Sequence, residues 1–433
     1  MKISRLAGVA ALLAAGVAQA QDAVKVNALI EVWYTQMTDS NLRLNTAIKP
    51  AGTSAYYDGM SSGRFNEDGV TIKRSEVYLS QAISEDIAWN LMFDPNNSTS
   101  SVGNNVLHDA VITWNLGKGF AVKAGQFKMP TTYEATLVAA TNIYFFDRNQ
   151  LNRQFGDKRD RGIWASYTYG DPKGFQGKLN VAVSNGNTDD GSSGKTAVDT
   201  NSQKDWTFRF EGGFGSTHKF GAYYREGVTN LKDSTSTYGA GGNGTTTWSG
   251  FGTPSPQQVK DNRDRTTLEG FFYAYDTAKL HFDFEYATGL LGRRYPSVFA
   301  VAGTAAAAVT MGREYLDQKF AGFAVTGVYK MGAHQLTGRY DVLNYNSGDN
   351  WYTNYNPYKE TAPGVSRGAN YSPKYTETTV GYNYVFVPAK YAAAKLKLDY
   401  IMRSKNFLAP RTGTTQVGEQ GGNSLVASLG VGF

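Results

Sequence analysis

The sequence predicts a membrane-spanning antiparallel β-barrel of 16 strands, and three observations carry that expectation. Segments of about ten residues alternate apolar and polar side chains, the period of strands tilted across a bilayer. The connections between them are alternately short and long. Beyond residue 20 no run of about 18 apolar residues occurs, so no helix is expected to cross a membrane. The 28 Tyr, 23 Phe and 48 Gly residues, with few apolar runs, fit such a barrel or a soluble β protein, which strand count and loop lengths separate.

Taken in order, residues 1–20 read as a signal peptide. Lys2 and Arg5 begin it, Leu6 to Val17 form an apolar core, and Ala18-Gln19-Ala20 is a small-residue cleavage site. The barrel is expected over residues 21–433. Without Lys2 and Arg5 the count is 41 basic against 37 acidic residues, a mild excess with no basic run, so no nucleic acid partner is expected. There is no cysteine, hence no disulfide framework.

The alternation places strands near Val24–Tyr34, Val70–Ser80, Ile87–Asp94, Val106–Asn115, Phe120–Lys128, Gly162–Tyr169, Gly177–Ser184 and Asp205–Phe214. Eight more follow near Lys219–Gly227, Thr266–Tyr275, Lys279–Thr288, Phe320–Lys330, His334–Leu343, Tyr375–Phe386, Lys395–Arg403 and Ser424–Phe433. The clearest pattern sets Leu280, Phe282, Phe284 and Tyr286 against Lys279, His281, Asp283 and Glu285. Connections after even-numbered strands are short, such as Leu116 to Gly119 and Gly215 to His218; those after odd-numbered strands are mostly long and polar. A barrel with one end in the periplasm and the other outside sorts its loops this way, whereas a soluble sandwich has no reason to. An even count puts both termini at the short-turn end, and closure removes the edges. Gly117-Lys118-Gly119 and Gly215-Ser216 supply the positive φ angles that tight turns need.

One connection is singled out. Between the fifth and sixth strands, residues of about 129–161 form a stretch too long for a hairpin. A loop of this kind can fold inward and narrow the lumen. Its basic residues Arg148, Arg153, Lys158, Arg159 and Arg161, with Lys128 at its start, are candidates for a positive constriction. Asp147, Asp157 and Asp160 offset part of that charge, and a solvated outer loop is the competing reading.

The face opposite the apolar one carries both signs. Arg74, Lys178, Arg209, Arg339, Lys395, Lys397 and Arg403 are basic; Glu31, Glu76, Asp94, Glu211, Glu269, Asp283, Glu285, Asp341, Glu377 and Asp399 are acidic. Lys395, Lys397 and Arg403 could form a basic row along a permeation path or pair with Asp399 and its neighbours. His281, Asp283 and Glu285 share a face, but alternate residues stand about 7 Å apart, which suits a wet wall better than a metal site. Gly59-Met60-Ser61-Ser62-Gly63 matches Gly-x-Ser-x-Gly inside a polar loop, without the strand-to-helix turn the motif requires. No catalytic residue, cofactor or metal is expected.

At Gly125-Gln126-Phe127-Lys128-Met129-Pro130 the chain resembles the phosphate-selective porin O and P family. Phe145-Phe146-Asp147-Arg148 is similar to that family's aromatic–acidic–Arg loop element, and Arg159-Asp160-Arg161-Gly162 to its step into the next strand. Ile72 to Ser80 resembles its basic–basic–x–acidic second strand, and the alternating C-terminus ending in Phe433 resembles the assembly signal of bacterial outer-membrane barrels. The resemblance implies a sixteen-stranded homotrimeric channel in the outer membrane, surrounded by lipid, that passes small anionic solutes, phosphate or oligophosphate first. It also implies that Lys128, Arg148, Arg159 and Arg161 serve the constriction, with Arg74 next. Met129 stands where relatives often carry an acidic residue. A general or weakly cation-preferring porin, a structural or adhesive barrel and a barrel enzyme are the alternatives.

Overall fold

The computed structural model describes residues 23–38, 69–95, 106–186, 204–228, 265–296, 315–344, 347–348, 374–386, 394–404, 407–408, 419–420 and 423–432. The signal peptide, the Gly59–Gly63 match, the Ala305–Ala308 run, much of the other long connections and the terminal Phe433 lie outside them.

Sixteen antiparallel strands close into a barrel in which each neighbours the next in sequence and the last returns to the first. They are β1 (Lys25–Met37), β2 (Gly69–Ala82), β3 (Ile87–Phe93), β4 (Leu107–Gly117), β5 (Phe120–Lys128), β6 (Arg159–Gly170), β7 (Phe175–Ser184) and β8 (Asp205–Phe214). Then come β9 (His218–Val228), β10 (Arg265–Asp276), β11 (Leu280–Pro296), β12 (Tyr315–Met331), β13 (His334–Asn344), β14 (Lys374–Val385), β15 (Ala394–Arg403) and β16 (Ser424–Gly432). A two-residue pairing of Phe407–Leu408 with Glu419–Gln420 lies outside the barrel sheet. Closure runs through Leu29 opposite Gly432 to Met37 opposite Ser424.

The period-2 pattern sorts the wall. On β11, Leu280 and Phe282 are exposed while His281, Asp283 and Glu285 are buried. Ile30, Ile112, Leu336 and Val380 likewise project outward. In water this distribution would be inverted; in a bilayer the apolar outside meets lipid and the polar side chains keep a wet interior. Near the short-turn end aromatic rings adjoin one another, as in Phe120–Tyr167 at 4.3 Å and Phe175–Phe214 at 5.4 Å. Girdles of aromatic residues stand at that depth in outer-membrane barrels. Gly117, Lys118 and Gly119 all have positive φ at the β4–β5 turn, as does Gly215 at the β8–β9 turn.

Two predictions need correcting. Glu269 was expected on the inner face, but it shares the outer face of β10 with Phe271 and Tyr273. The inner face there is Leu268, Phe272 and Ala274, all buried. Both faces of β10 are apolar because its inner side packs against the loop, so alternation could not orient it. The sixth strand begins at Arg159, three residues before the predicted Gly162, because its ladder continues to Lys128 opposite Arg159. Arg159 and Arg161 are therefore strand residues, and the loop is 129–158.

Candidate functional site

Residues 129–158 fold as a compact insert bonded to the polar face of the barrel. A short helix, α1 (Tyr133–Leu137), is followed by 3-10 and π-helical turns at Ala140–Asn142 and Asn152–Gly156. Arg148 fastens the insert internally: its two Nη groups donate to the Glu134 carbonyl and, at 3.1 Å, to the Val138 carbonyl. The Glu134 carboxylate accepts from Asn149 N at 2.7 Å. Ala135 N donates to Asn152 Oδ1 at 2.8 Å.

Wall residues then hold the insert at four places. On β11, Glu285 accepts from Tyr133 N at 2.7 Å, Asn152 Nδ2 at 2.7 Å and Tyr223 Oη at 3.0 Å. On β15, Lys397 Nζ donates to the Phe145 carbonyl at 2.8 Å, and Asp399 Oδ2 accepts from Phe146 N at 2.6 Å. Arg153 Nη2 donates to Glu377 of β14 at 2.9 Å, and Arg339 and Arg403 converge on the same carboxylate at 3.2 and 3.3 Å. Asp147 is met by Lys73 Nζ at 2.8 Å and Arg74 Nη2 at 3.5 Å. Lys73 is the extra residue of a bulge: Arg74 faces Glu31 and Ile72 faces Val32. Such a bulge re-aims a side chain.

Apolar packing completes the seat. Tyr133 and Leu151 are buried with Phe272, Phe320, Leu343 and Tyr375 of the wall. Tyr133 stacks on Phe272 at 5.2 Å and Phe155 on Phe320 at 4.1 Å. Elsewhere Phe146 meets Trp33 edge-on at 5.1 Å.

The sequence-derived candidates thus separate. Arg74 is buried between Glu31, Glu76 and Asp147, and Arg148 has only 3% of its side chain exposed. Arg153 is tied to Glu377. Lys395 Nζ reaches the Ile143 carbonyl at 3.3 Å, and Lys397 pairs with Glu31 at 2.7 Å, so these lysines hold the insert and β1. They do not form a row of free charges. Arg161 Nε donates to Gln126 Oε1 at 3.1 Å, apart from the loop's other cations. Lys158 continues the ladder through its carbonyl, which accepts from Met129 N at 2.9 Å.

Lys128 and Arg159 remain, gathered around Asp157. Lys128 Nζ lies 2.6 Å from Asp157 Oδ1; Arg159 Nη1 and Arg148 Nε each lie 3.9 Å from that carboxylate. Arg159 Nε also meets Asp109 at 2.7 Å. The Lys128 side chain is 22% exposed and Asp157 38%, so solvent reaches this group. Burial alone would raise the Asp157 carboxyl, but Lys128, Arg148 and Arg159 outweigh it and hold the group well below the ordinary carboxylate range. Glu134, packed inside the insert, is shifted upward by burial. What sequence reasoning missed is the role of Glu285 and Glu377 as seats for the loop; only the paired strands reveal them.

A closed barrel with an apolar exterior, a charged interior and a loop bonded to that interior defines an outer-membrane porin. The chain belongs to the phosphate-selective porin O and P family, whose sequence profile matches residues 53–417. Among solved structures it is similar to the outer membrane channel DcaP of Acinetobacter baumannii, at 13% identity over 95% of this chain and 97% of that one, with a TM-score of 0.54. It is similar to OmpT of Vibrio cholerae in its trimer form, at 12% identity over 95% and 99%, with a TM-score of 0.51. A third similar structure is the anion-selective porin from Comamonas acidovorans, at 10% identity over 95% and 98%, with a TM-score of 0.50. At these identities the likeness is one of fold. No curated protein sequence matches the chain. Family and fold are those of a channel in the bacterial outer membrane.

Proposed function

We propose that this porin passes small anions by diffusion, phosphate or oligophosphate first, past a constriction made by residues 129–158 and governed by Lys128 and Arg159. The observation that carries the reading is the accessible group in which Lys128, Arg148 and Arg159 surround the single carboxylate of Asp157. With Asp109 counted, three cations face two carboxylates, a net positive neck. Ammonium and guanidinium groups replace part of an anion's hydration shell there, and a carboxylate among them keeps binding weak enough for release. Arg74, Arg148 and Arg153 act on this reading as supports of the loop, while Lys158 and Arg161 add to the field. The anion-selective porin from Comamonas acidovorans and the trimer form of OmpT, both alike in fold, support an anion-preferring homotrimer here.

A general diffusion porin is the second reading, favoured by the two carboxylates that already pair with Lys128 and Arg159. Planar-bilayer recording separates them. The wild-type reversal potential in a KCl gradient is expected to report chloride preference, and millimolar phosphate to block chloride current. Replacing both residues (Lys128→Ala with Arg159→Ala) is expected to abolish the preference while the heat-modifiable barrel persists. A reversal potential identical in wild type and double variant, with no phosphate block, refutes the proposal.

A further inference from the structure

A second basic cluster lies in the wall away from the loop's base. Lys123 of β5 stands directly opposite Trp164 of β6, with its Nζ 4.6 Å from the indole centroid. Lys178 of β7 brings its own Nζ to 5.9 Å from the same ring. The indole is fixed in place: Nε1 donates to Asn180 Oδ1 at 3.1 Å, and Phe127 packs on it at 5.7 Å. All three side chains are half-buried, so they meet the lumen without being sealed from it.

Among the described residues neither lysine has a carboxylate within ion-pair distance. The reason is visible for Lys178. Its cross-strand neighbour is Glu211, but that carboxylate is taken at 2.7 Å by Arg209 Nε of its own strand. Two ammonium groups are therefore held beside one aromatic ring, which attracts each of them while they repel one another. A bound oxyanion relieves that repulsion and satisfies donors that no acceptor among the described residues takes.

We propose that Lys123, Trp164 and Lys178 form a second lumenal station that takes the oxyanion group of a phosphate or a carboxylate between the two ammonium groups. It stands five residues from Lys128 along β5, about 17 Å at strand spacing, toward the short-turn end. It requires the barrel but not the Lys128–Arg159 constriction. Spaced weak stations suit passage, because an ion must leave each one readily.

Trp164 reports on the site, and iodide is both an anion and a collisional quencher. Subtracting the emission of a Trp164→Phe variant from that of the wild-type porin in detergent isolates the signal. Iodide is expected to quench Trp164 about threefold more strongly in the wild type than in a Lys123→Gln, Lys178→Gln double variant, given the loss of two nearby charges. Neutral acrylamide should quench both equally. In the wild type, phosphate and acetate are titrated separately against iodide. Protection by phosphate alone assigns the station to phosphates, by acetate alone to carboxylates, and by both to oxyanions in general. Protection by neither overturns the proposal, as does equal iodide quenching in the folded double variant. Should that variant fail to give a heat-modifiable barrel, the wild-type competition decides. The Lys128→Ala, Arg159→Ala protein is expected to keep this protection, which separates failure here from failure of the constriction reading.

Discussion

The β11–β15 side of the barrel and the β5–β7 side use the same residue types to opposite ends. Around β13–β15, Arg153, Arg339 and Arg403 converge on Glu377, and Lys397 on Glu31, so charge is spent on fastening the loop. Around β5–β7, Lys128 and Arg159 share an accessible carboxylate, and Lys123 and Lys178 border an indole. The difference teaches that a count of inward-facing charges does not measure the field a solute meets. Pairing and access decide it.

The largest effect is expected from breaking the clamped side. Glu377→Ala strands three guanidinium groups, and removing one partner of a buried charge cluster costs about 3–5 kcal/mol. The loop should lose its hold near Arg153, so single-channel conductance rises and the heat-modifiable barrel melts at lower temperature. Unchanged conductance and melting would erase the distinction between the two sides. A smaller effect is expected from Asp157→Asn, which leaves Lys128 and Arg159 without their shared counter-charge. A unit charge about 8 Å from the ion path in a water-like medium is worth about 0.5 kcal/mol, roughly twofold in anion preference. Reversal potentials should shift toward the chloride limit by that amount, and a shift the other way would contradict the assigned roles.

The smallest effect is a flat pH profile. The Asp157 carboxyl is held below its unfolded value, so the stabilisation from its contacts is present above the ordinary carboxylate range and is lost only as pH falls through the depressed value. Anion preference set by this group should therefore stay constant from pH 5 to pH 8 (roughly the range above all ordinary carboxylate values). A step within that window in the wild type, absent from Asp157→Asn, would contradict the reading.

Much of the fold was legible because a bilayer enforces alternation on every strand that has one oily and one wet side. The failure at β10 has the same physical root. Where Phe272 is covered by Tyr133 of the loop, the inner face is dry and the period no longer separates the faces. The site was harder to read. Arg148 and Lys128 are equivalent as letters, yet one holds carbonyls inside the insert and the other meets solvent. Lys395 and Lys397 gave the same difficulty, since their acceptors lie some 250 residues away in the chain.

The contacts of Glu31 bear on the order of assembly. This β1 carboxylate accepts from Lys397 of β15 and Ser428 of β16 and pairs with Arg74 of β2. Trp33, one step along β1, meets Phe146 of the insert. The first and last staves therefore have to find each other before the plug has its whole cradle, which makes seating of residues 129–158 a late event in biogenesis. Protease resistance of that segment should appear no sooner than the compact, heat-modifiable species during refolding into detergent; earlier resistance would mean the insert folds by itself.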